Sequence, residues 1–191
     1  GMYDSLRKVY RDVCSCERCG YAKTRKNTVF GEGSLHSPIM LIGEGPGAVE
    51  DETGRPFVGP AGKLLDKMLA AIDLDRSRVY ICNVVKCRPP HNRDPEQKCV
   101  DQCIGYLREQ VRFIRPKVIV CLGRIAANHI LHEKQGITRI HGEIYERKNF
   151  IIIPTFHPSA LLRNEELKKP AWEDMKTIRQ VLKNETHIYE A

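Results

Sequence analysis

Four short runs of apolar residues stand out along the chain, and each run is followed by glycine, proline or polar residues. They lie at residues 39–43, 79–85, 118–122 and 151–155. Unbroken apolar runs of this length are typical of strands that are buried on both faces of a parallel sheet. The pattern therefore predicts four buried strands.

The segments between and around these runs carry apolar residues at helical spacing. The predicted helices lie at residues 3–13, 61–72, 95–114, 124–132 and 171–182. Strands that alternate with helices form parallel sheets, because parallel neighbours need long crossover connections that cover the sheet. We therefore expect an α/β fold, a three-layer sandwich in which a central four-stranded parallel sheet is flanked by helices.

Two long loops follow predicted strands, and both are rich in glycine, proline and charged residues. They span residues 43–60 and 86–95. In an open parallel sheet, ligands bind outside the carboxyl ends of the strands. The residues expected to meet at this rim are Glu44, residues 83–86, Gly123 and residues 155–157.

Length and composition narrow the class of protein. The chain has 191 residues, which suits one domain, and a net charge of +7, which favours polyanions such as nucleic acid as partners. No apolar run approaches the roughly 20 residues that span a bilayer. Charged residues interrupt the first apolar positions, so a signal-peptide core is absent, and a cytoplasmic protein without a membrane partner is expected.

Cysteines are the most distinctive part of the composition. The chain has eight of them, and in the cytosol they are expected to stay reduced. Cys16 and Cys19 have the spacing that lets two thiolates of one loop reach a single metal centre, while Cys87 and Cys103 bracket a loop and a helix. These four residues could hold one metal group.

The remaining cysteines leave the ligand set and the metal open. Cys82 and Cys121 lie inside predicted strands, where cysteine behaves as a small hydrophobic residue. Cys14 or Cys99 could each replace a member of the set of four. On spacing alone, a tetrahedral zinc site is about as good as an iron-sulfur cluster.

Four side chains at the predicted rim are candidates for chemistry. Glu44 lies between glycines at a strand end and is the better functional carboxylate of its loop. Phe57 precedes a helix, where an aromatic residue is usually a hydrophobic staple and less often a platform for a base. Asn83 interrupts an apolar strand and needs a polar partner, from the backbone or from a ligand. His157 begins either a helix with buried leucines or a loop that presents it to a pocket.

Six segments, in their order along the chain, resemble the motifs of the family 4 uracil-DNA glycosylases, the iron-sulfur type. They are GEGPG at 43–47, ED at 50–51, GRPFVGPAG at 54–62, VYICNVVKCRPP at 79–90, NRDP at 92–95 and HPSALLR at 157–163. The resemblance extends from about Cys16 to Trp172. It implies one glycosylase domain over residues 1–191 that removes uracil from DNA during base excision repair and leaves an abasic site.

The resemblance also implies a [4Fe-4S] cluster and roles for single residues. The cluster ties the N-terminal helix and cysteine loop at residues 3–20 to the segment 87–103. Its implied ligands are Cys16, Cys19, Cys87 and Cys103. The implied catalytic residues are Glu44, which supports cleavage, and His157, which faces the O2 atom of uracil. The implied base-binding residues are Gly45, Glu50, Phe57, which stacks on uracil, and Asn83, which reads its polar edge.

A uracil inside a duplex is unreachable, so the enzyme must extrude it and hold the DNA. Lys86, Arg88 and Arg163 are expected to contact DNA, and Leu161 is expected to enter the gap left by the flipped base. The expected partner is uracil-containing single- and double-stranded DNA, and the expected state is a monomer.

Two positions depart from the family pattern. His141 stands where the family often has arginine, and His91 lies where a related branch carries a reactive histidine inside a longer basic insert that is absent here. We therefore expect ordinary turnover rather than covalent trapping. Two other functions remain open, a metal-stapled nucleic-acid-binding module without catalysis and a hydrolase of free nucleotides.

Overall fold

The computed structural model describes residues 1–190, apart from the side chain of Met2. Within these residues the helices are α1 (Met2–Cys14), α2 (Ala48–Thr53), α3 (Pro60–Ala70), α4 (Gln97–Ile114), α5 (Arg124–Leu131), α6 (Ile137–Ile140), α7 (Pro158–Arg163) and α8 (Lys168–Glu185). The strands are β1 (Glu32–Gly33), β2 (Ile39–Gly43), β3 (Tyr80–Asn83), β4 (Val118–Leu122), β5 (Tyr145–Glu146) and β6 (Ile151–Thr155). Short 3-10 turns lie at Gly20–Lys23, Pro90–Asn92 and Glu165–Leu167.

The strands form one sheet in the order β1-β3-β2-β4-β6-β5. The four inner strands run parallel to one another, whereas the edge strands β1 and β5 are antiparallel to their neighbours. The predicted α/β class, with a sheet flanked by helices, is confirmed. The sheet has six strands and not the predicted four, because edge strands of two residues leave no apolar run in the sequence.

An apolar core lies on each face of the sheet. Alternate residues of a strand point to opposite faces, so Leu41 and Ile81 pack in one core while Met40 and Tyr80 pack in the other. Helices α3 and α8 cover the first core, and α4 and α5 cover the second. Burial on both faces is the reason that the inner strands are unbroken apolar runs.

Helix α1 packs against α4 on the outside of the second core. Leu6 and Val13 of α1 contact Tyr106 of α4, together with Phe30. This packing places the cysteine loop that follows α1 beside the first turns of α4. It thereby joins α1 to α4, whose nearest ends, Cys14 and Gln97, are 83 residues apart in the chain (97 − 14).

The predicted helices are present with small shifts of their ends, and α8 begins at Lys168, three residues before the predicted start. The short helices α2 and α6 were not predicted. For the segment after His157, the alternative of a helix is confirmed by α7. Within residues 1–190 no helix is long and apolar enough to cross a membrane.

Candidate active site and cysteine cavity

A cavity of about 370 Å³ opens at the carboxyl ends of the inner strands, and we call it the rim cavity. Its wall comes from the loops after β2, β3 and β6 and from the start of α3. The sheet topology accounts for this location, because parallel strands bring their carboxyl ends to one edge. The rim cavity brings together Glu44, Gly45, Glu50, Phe57, Asn83 and His157.

Asn83 is the last residue of β3, and only 1% of it is exposed. Its side-chain oxygen Oδ1 has no hydrogen-bond partner among the described residues, although buried amides nearly always have one. At Gly43, on the neighbouring strand, a Cβ atom would lie 2.6 Å from Oδ1. Glycine therefore keeps open the space beside an amide oxygen that can accept a hydrogen bond from a ligand.

Phe57 holds an unusual backbone conformation beside Asn83. Its φ angle is 50°, which is uncommon for a bulky residue. The Nη1 atom of Arg76 donates to its carbonyl oxygen at 2.8 Å, and a Cβ atom at Gly62 would lie 1.8 Å from that oxygen. The centroid of the Phe57 ring lies 5.4 Å from that of His157, and the ring lines the rim cavity. Phe57 therefore belongs both to the first core and to the wall of the rim cavity.

His157 is the N-cap residue of α7, and its protonation follows from its contacts. Its Nδ1 atom accepts the backbone N–H of Ser159 at 3.1 Å. Burial, and secondarily the charge of Arg163, lower the pKa of His157 to about 4. The ring is therefore neutral near pH 7, and its single proton lies on Nε2 because Nδ1 is an acceptor. A neutral imidazole with an Nε2–H donor lines the rim cavity.

Glu44 directly follows β2, and its carboxyl group is partly buried in the rim cavity. Burial raises its pKa above the usual value, and the nearby charge of Asp94 adds to this effect. Arg124 and Arg163 oppose the shift. Glu44 is therefore a carboxyl group at the border between a buried cavity and a basic rim.

Glu50 also lines the rim cavity, but its carboxylate is occupied by the backbone. Its Oε1 atom accepts the N–H of Gly47 at 3.1 Å, and Oε2 accepts the N–H groups of Val58 and Gly59 at 2.9 and 2.7 Å. These bonds join the loop before α2 to the loop that carries Phe57. The carboxylate therefore shapes the wall of the cavity.

Cysteines surround a second cavity, which we call the cysteine cavity. It lies between the loop after α1, the segment after β3 and the first turns of α4. Its other walls include the apolar side chains of Val13, Val85 and Tyr106. The cysteines that line it are Cys16, Cys19, Cys87, Cys99 and Cys103.

The chemistry of the cysteine cavity fits a thiolate-bound metal group. The Nη1 atom of Arg25 lies 3.2 Å from the Cys87 sulfur, and the backbone N–H of Lys86 donates to the Cys103 sulfur at 3.3 Å. Burial raises the pKa of the Cys87 thiol, and it raises the pKa of Cys103 to about 11. Because bound thiols must lose their protons, a metal group and these N–H donors would offset the effect of burial.

The arrangement of the thiols differs from that of a single-ion site. Within residues 1–190, no group of three His, Cys, Asp or Glu side chains converges on one point as ligands of one ion would. In a [4Fe-4S] cluster each cysteine binds a different iron, so its ligands stay further apart. Five cysteines line this cavity, and such a cluster takes four of them as ligands. Cys99 lies one turn before Cys103 on α4 and lines the same cavity, so the choice between them stays a prediction.

Two of the residues expected to contact DNA are buried, and these predictions need correction. Lys86 is 1% exposed because its ammonium group turns inward and donates to the carbonyl oxygen of Asn83. Leu161 is 2% exposed because its side of α7 packs into the first core. The neighbouring Leu162 is 50% exposed. Helical rotation turns adjacent residues to different sides, so only one of two successive leucines faces solvent.

The other two residues expected to contact DNA lie near the rim. Arg163 is exposed and lines the rim cavity. The Nε atom of Arg88 donates to Oδ1 of Asn92, which itself lines the cavity. His91 is exposed in the same loop with a positive φ of 58°. A basic edge thus borders the rim cavity.

Two residues of the site were not found from the sequence. Arg76 fixes the carbonyl of Phe57 from a turn that carries no motif, so no signal pointed to it. Asp174 on α8 accepts a hydrogen bond from Thr155 at 2.7 Å and lies 2.9 Å from Nδ1 of His141. The contact with Thr155 holds the end of β6, from which His157 follows, and the contact with His141 joins α8 to the segment after α6. The polar Asp174 inside the apolar periodicity of α8 was the available signal.

Comparison with known proteins shows the family of the chain. Residues 30–176, more than half of the chain, match the family described as "Uracil DNA glycosylase superfamily". The chain therefore belongs to that superfamily, whose match covers the strands of the sheet and the segments around the rim cavity.

Several relatives narrow the class further. A type-4 uracil-DNA glycosylase of Sulfurisphaera tokodaii is 46% identical, over 93% of this chain and 85% of the relative. The corresponding proteins of Archaeoglobus fulgidus and Thermotoga maritima are 45% and 44% identical, over 93% and 91% of this chain and 94% and 92% of the relatives. The chain therefore belongs to the type-4 uracil-DNA glycosylases.

Proposed function

We propose that this protein is a monofunctional DNA glycosylase that flips uracil out of DNA and hydrolyses its N-glycosidic bond. The product is an abasic site for base excision repair. The observation that carries this proposal is the unpartnered Oδ1 atom of Asn83 inside the rim cavity. A buried acceptor without a partner is costly, and a ligand with a matching donor removes that cost.

Uracil supplies the donor that Asn83 lacks. Its N3–H group donates to the amide oxygen, and its O4 atom accepts from the amide N–H. Cytosine reverses both groups, so its entry leaves buried polar atoms opposed and unpaired. The ring of Phe57 stacks on the base. Gly45 lets the loop after β2 pack closely beside the base, since a Cβ atom there would lie 2.7 Å from the side chain of Val85.

Two residues act on the bond that breaks. As the bond lengthens, negative charge develops on uracil and positive charge develops on the sugar. The Nε2–H group of neutral His157 donates to O2 of the departing base, where its contribution is greater in the transition state. The carboxylate of Glu44 acts on the sugar side, where it stabilises positive charge or orients the attacking water.

The DNA surface surrounds the mouth of the rim cavity. Arg163 and Arg88 contact phosphates on either side of the extruded nucleotide. Extrusion costs a few kcal/mol of unstacking, and an apolar side chain in the vacated gap offsets part of that cost. We assign this role to Leu162, which is exposed and precedes Arg163, in place of the buried Leu161.

The cysteine cavity holds a [4Fe-4S] cluster in this proposal, with Cys16, Cys19, Cys87 and Cys103 as its ligands. When bound, the cluster supplies a structural cross-link and no step of the hydrolysis. The ligands join residues 3–20 to the segment 87–103, so residues 1–191 fold as one glycosylase domain. The inner parallel strands of the sheet are the four-stranded core of that domain.

The partner in this proposal is uracil-containing single- or double-stranded DNA, and one monomer acts on it. The excess of basic residues supports a polyanionic partner. The reduced cysteines on which the cluster depends fit a cytoplasmic protein.

The proposal is tested by release of uracil from labelled oligonucleotides that contain one uracil, in single strands and in duplexes. Matched oligonucleotides with thymine or cytosine at the same position are the controls. We expect free uracil and an abasic site from both forms of DNA, and no product from the controls. Binding of DNA without release would indicate a binding module, and activity on free deoxyuridine nucleotide alone would indicate a nucleotide hydrolase.

A further inference from the structure

Lys86 is a buried charge that the reaction described above does not use. It is 1% exposed, and lysine is almost never fully buried unless it is paired. Within residues 1–190, the lysines that form ion pairs with carboxylates are Lys26, Lys98, Lys168 and Lys176, and Lys86 is not among them. The position of this ammonium group therefore needs another explanation.

The ammonium group of Lys86 is directed at the residue that faces the base. Its Nζ atom donates to the backbone carbonyl oxygen of Asn83 at 2.8 Å. It also lies 6.0 Å from the centroid of the Phe30 ring, a weaker contact. Asn83 ends β3, so the bond fixes the strand end from which the unpartnered amide projects into the rim cavity.

The backbone of Lys86 is tied to the cysteine cavity at the same time. Its N–H group donates to the sulfur of Cys103 at 3.3 Å, and the next residue is Cys87. Its carbonyl oxygen accepts the N–H of Val29 at 2.7 Å, which holds the segment in place. A cluster bound by four thiolates carries net negative charge, so it would supply the counter-charge that no carboxylate provides.

We infer that Lys86 is a positioning residue for base reading, which holds the Asn83 backbone so that the Asn83 amide meets the polar edge of uracil. The inference rests on the proposed function and adds a residue to it. One residue thus connects the wall of the cysteine cavity to the base-reading amide. Its partners at the two ends, Cys103 and Asn83, are 20 residues apart in the chain and lie on different elements.

Lys86→Met tests the inference, because methionine keeps a long side chain and lacks the ammonium group. Lys117→Met is the matched control, since it removes an exposed lysine beside the amino end of β4, at the opposite edge of the sheet. For both variants we would measure iron content, visible absorbance, equilibrium binding of free uracil, and uracil release under single-turnover conditions. We expect both to keep iron, and only Lys86→Met to bind uracil about tenfold more weakly.

A double-mutant cycle separates positioning from general packing. If Lys86 acts through Asn83, then Lys86→Met should have almost no further effect on uracil release in an Asn83→Ala background. Equal losses in both backgrounds, or unchanged uracil binding by Lys86→Met, would overturn the inference. A wild-type protein that releases no uracil would overturn the proposed function instead.

A second experiment uses the wild-type protein, so it tests the inference even if Lys86→Met loses iron or does not fold. In protein labelled at the lysine Nζ atoms, nuclear magnetic resonance should show one ammonium signal that exchanges slowly with water. We expect that signal to shift when free uracil saturates the protein, since the carbonyl and amide of Asn83 belong to one residue. Lysine signals that are all unaffected by uracil would overturn the inference.

Discussion

The two cavities of this protein are built in opposite ways. Hydrogen bonds among its own loops hold the rim cavity together. Three of them run from backbone N–H groups to the carboxylate of Glu50 and join two of these loops. In the cysteine cavity five thiols lie among apolar and basic side chains, and the hydrogen bonds to their sulfur atoms come from Arg25 and from the backbone of Lys86. The rim cavity therefore has its shape before a ligand binds. The cysteine cavity has thiols where the rim cavity has hydrogen bonds between loops.

The difference teaches how each cavity uses its polar atoms. In the rim cavity the structural carboxylate is fully occupied, and Oδ1 of Asn83 is left without a partner. A site for a polar, planar base requires such an acceptor that is not already bonded to the protein. In the cysteine cavity the thiols are the groups that would bind the proposed cluster, and that cluster would link the loop after α1 to the segment after β3.

Asn83→Asp is the change with the largest expected effect, and it affects only the rim cavity. We expect uracil release to fall by about a thousandfold or more, because the carboxylate no longer offers an N–H to O4. A trace of cytosine release should appear, since a carboxyl oxygen accepts from N4–H and a protonated one donates to N3. Release of both bases from matched oligonucleotides measures the effect.

A variant that keeps the wild-type preference for uracil would show that Asn83 only packs the strand end and that the base is read elsewhere. The iron content of Asn83→Asp should equal that of the wild type, which serves as the internal control for the cysteine cavity.

Cys103→Ser and Cys99→Ser form a matched pair of variants that test which of two cysteines, one helical turn apart on α4, binds the proposed cluster. We expect Cys103→Ser to lose iron and visible absorbance and to lower the free energy of unfolding by about 3 kcal/mol or more, because the cross-link is lost. Cys99→Ser should keep both properties. Iron analysis and thermal unfolding of the two variants decide between them. The reverse result would assign Cys99 as the ligand.

Leu161→Ala and Leu162→Ala compare a core position with a DNA position on the same helix. Leu161→Ala should destabilise the protein by about 2–5 kcal/mol, as buried leucines do. Leu162→Ala should leave stability almost unchanged and should slow uracil release from duplexes more than from single strands. Denaturant unfolding and release from both forms of DNA provide the measurements. Equal effects of Leu162→Ala on both forms would remove it from the duplex gap.

The pH dependence of stability tests the neutral state of His157. Its pKa is lowered to about 4 by burial, against an ordinary value of about 6.5. Between these values the unfolded chain binds a proton that the folded chain does not, so the free energy of unfolding rises with pH in this range. His157→Ala should reduce that rise by about 1–3 kcal/mol. Denaturant unfolding of the wild type and of His157→Ala at pH 4.5 and pH 7 measures this rise. An equal rise of the free energy of unfolding in both proteins would contradict the neutral state of His157.

The sequence was most informative where the chemistry needs a rare residue at a strand end. Asn83 is a polar residue inside an apolar run, and Glu44 is a charged residue between glycines, so both stood out in the sequence. Both line the rim cavity because a parallel sheet brings the carboxyl ends of its strands to one edge. The resemblance then changed the interpretation of Phe57 from a staple to a base platform, and its positive φ is a feature that no apolar pattern reveals.

The errors have a common physical cause, which is that side-chain direction is set by tertiary packing. Leu161 and Leu162 are identical neighbours, and only the packing of α7 decides which of them is buried. Lys86 lies in a loop where lysine is usually solvated, and its inward turn depends on the Asn83 carbonyl. The backbone bonds of Glu50 join two loops that become neighbours only in the fold.

The structure of the protein with free uracil bound would test the central claim most directly. We predict that uracil lies in the rim cavity against the Phe57 ring, with its N3 atom within hydrogen-bond distance of Oδ1 of Asn83 and its O2 atom facing Nε2 of His157. Uracil bound outside the rim cavity, or inside it with Oδ1 of Asn83 still unpartnered, would contradict the account.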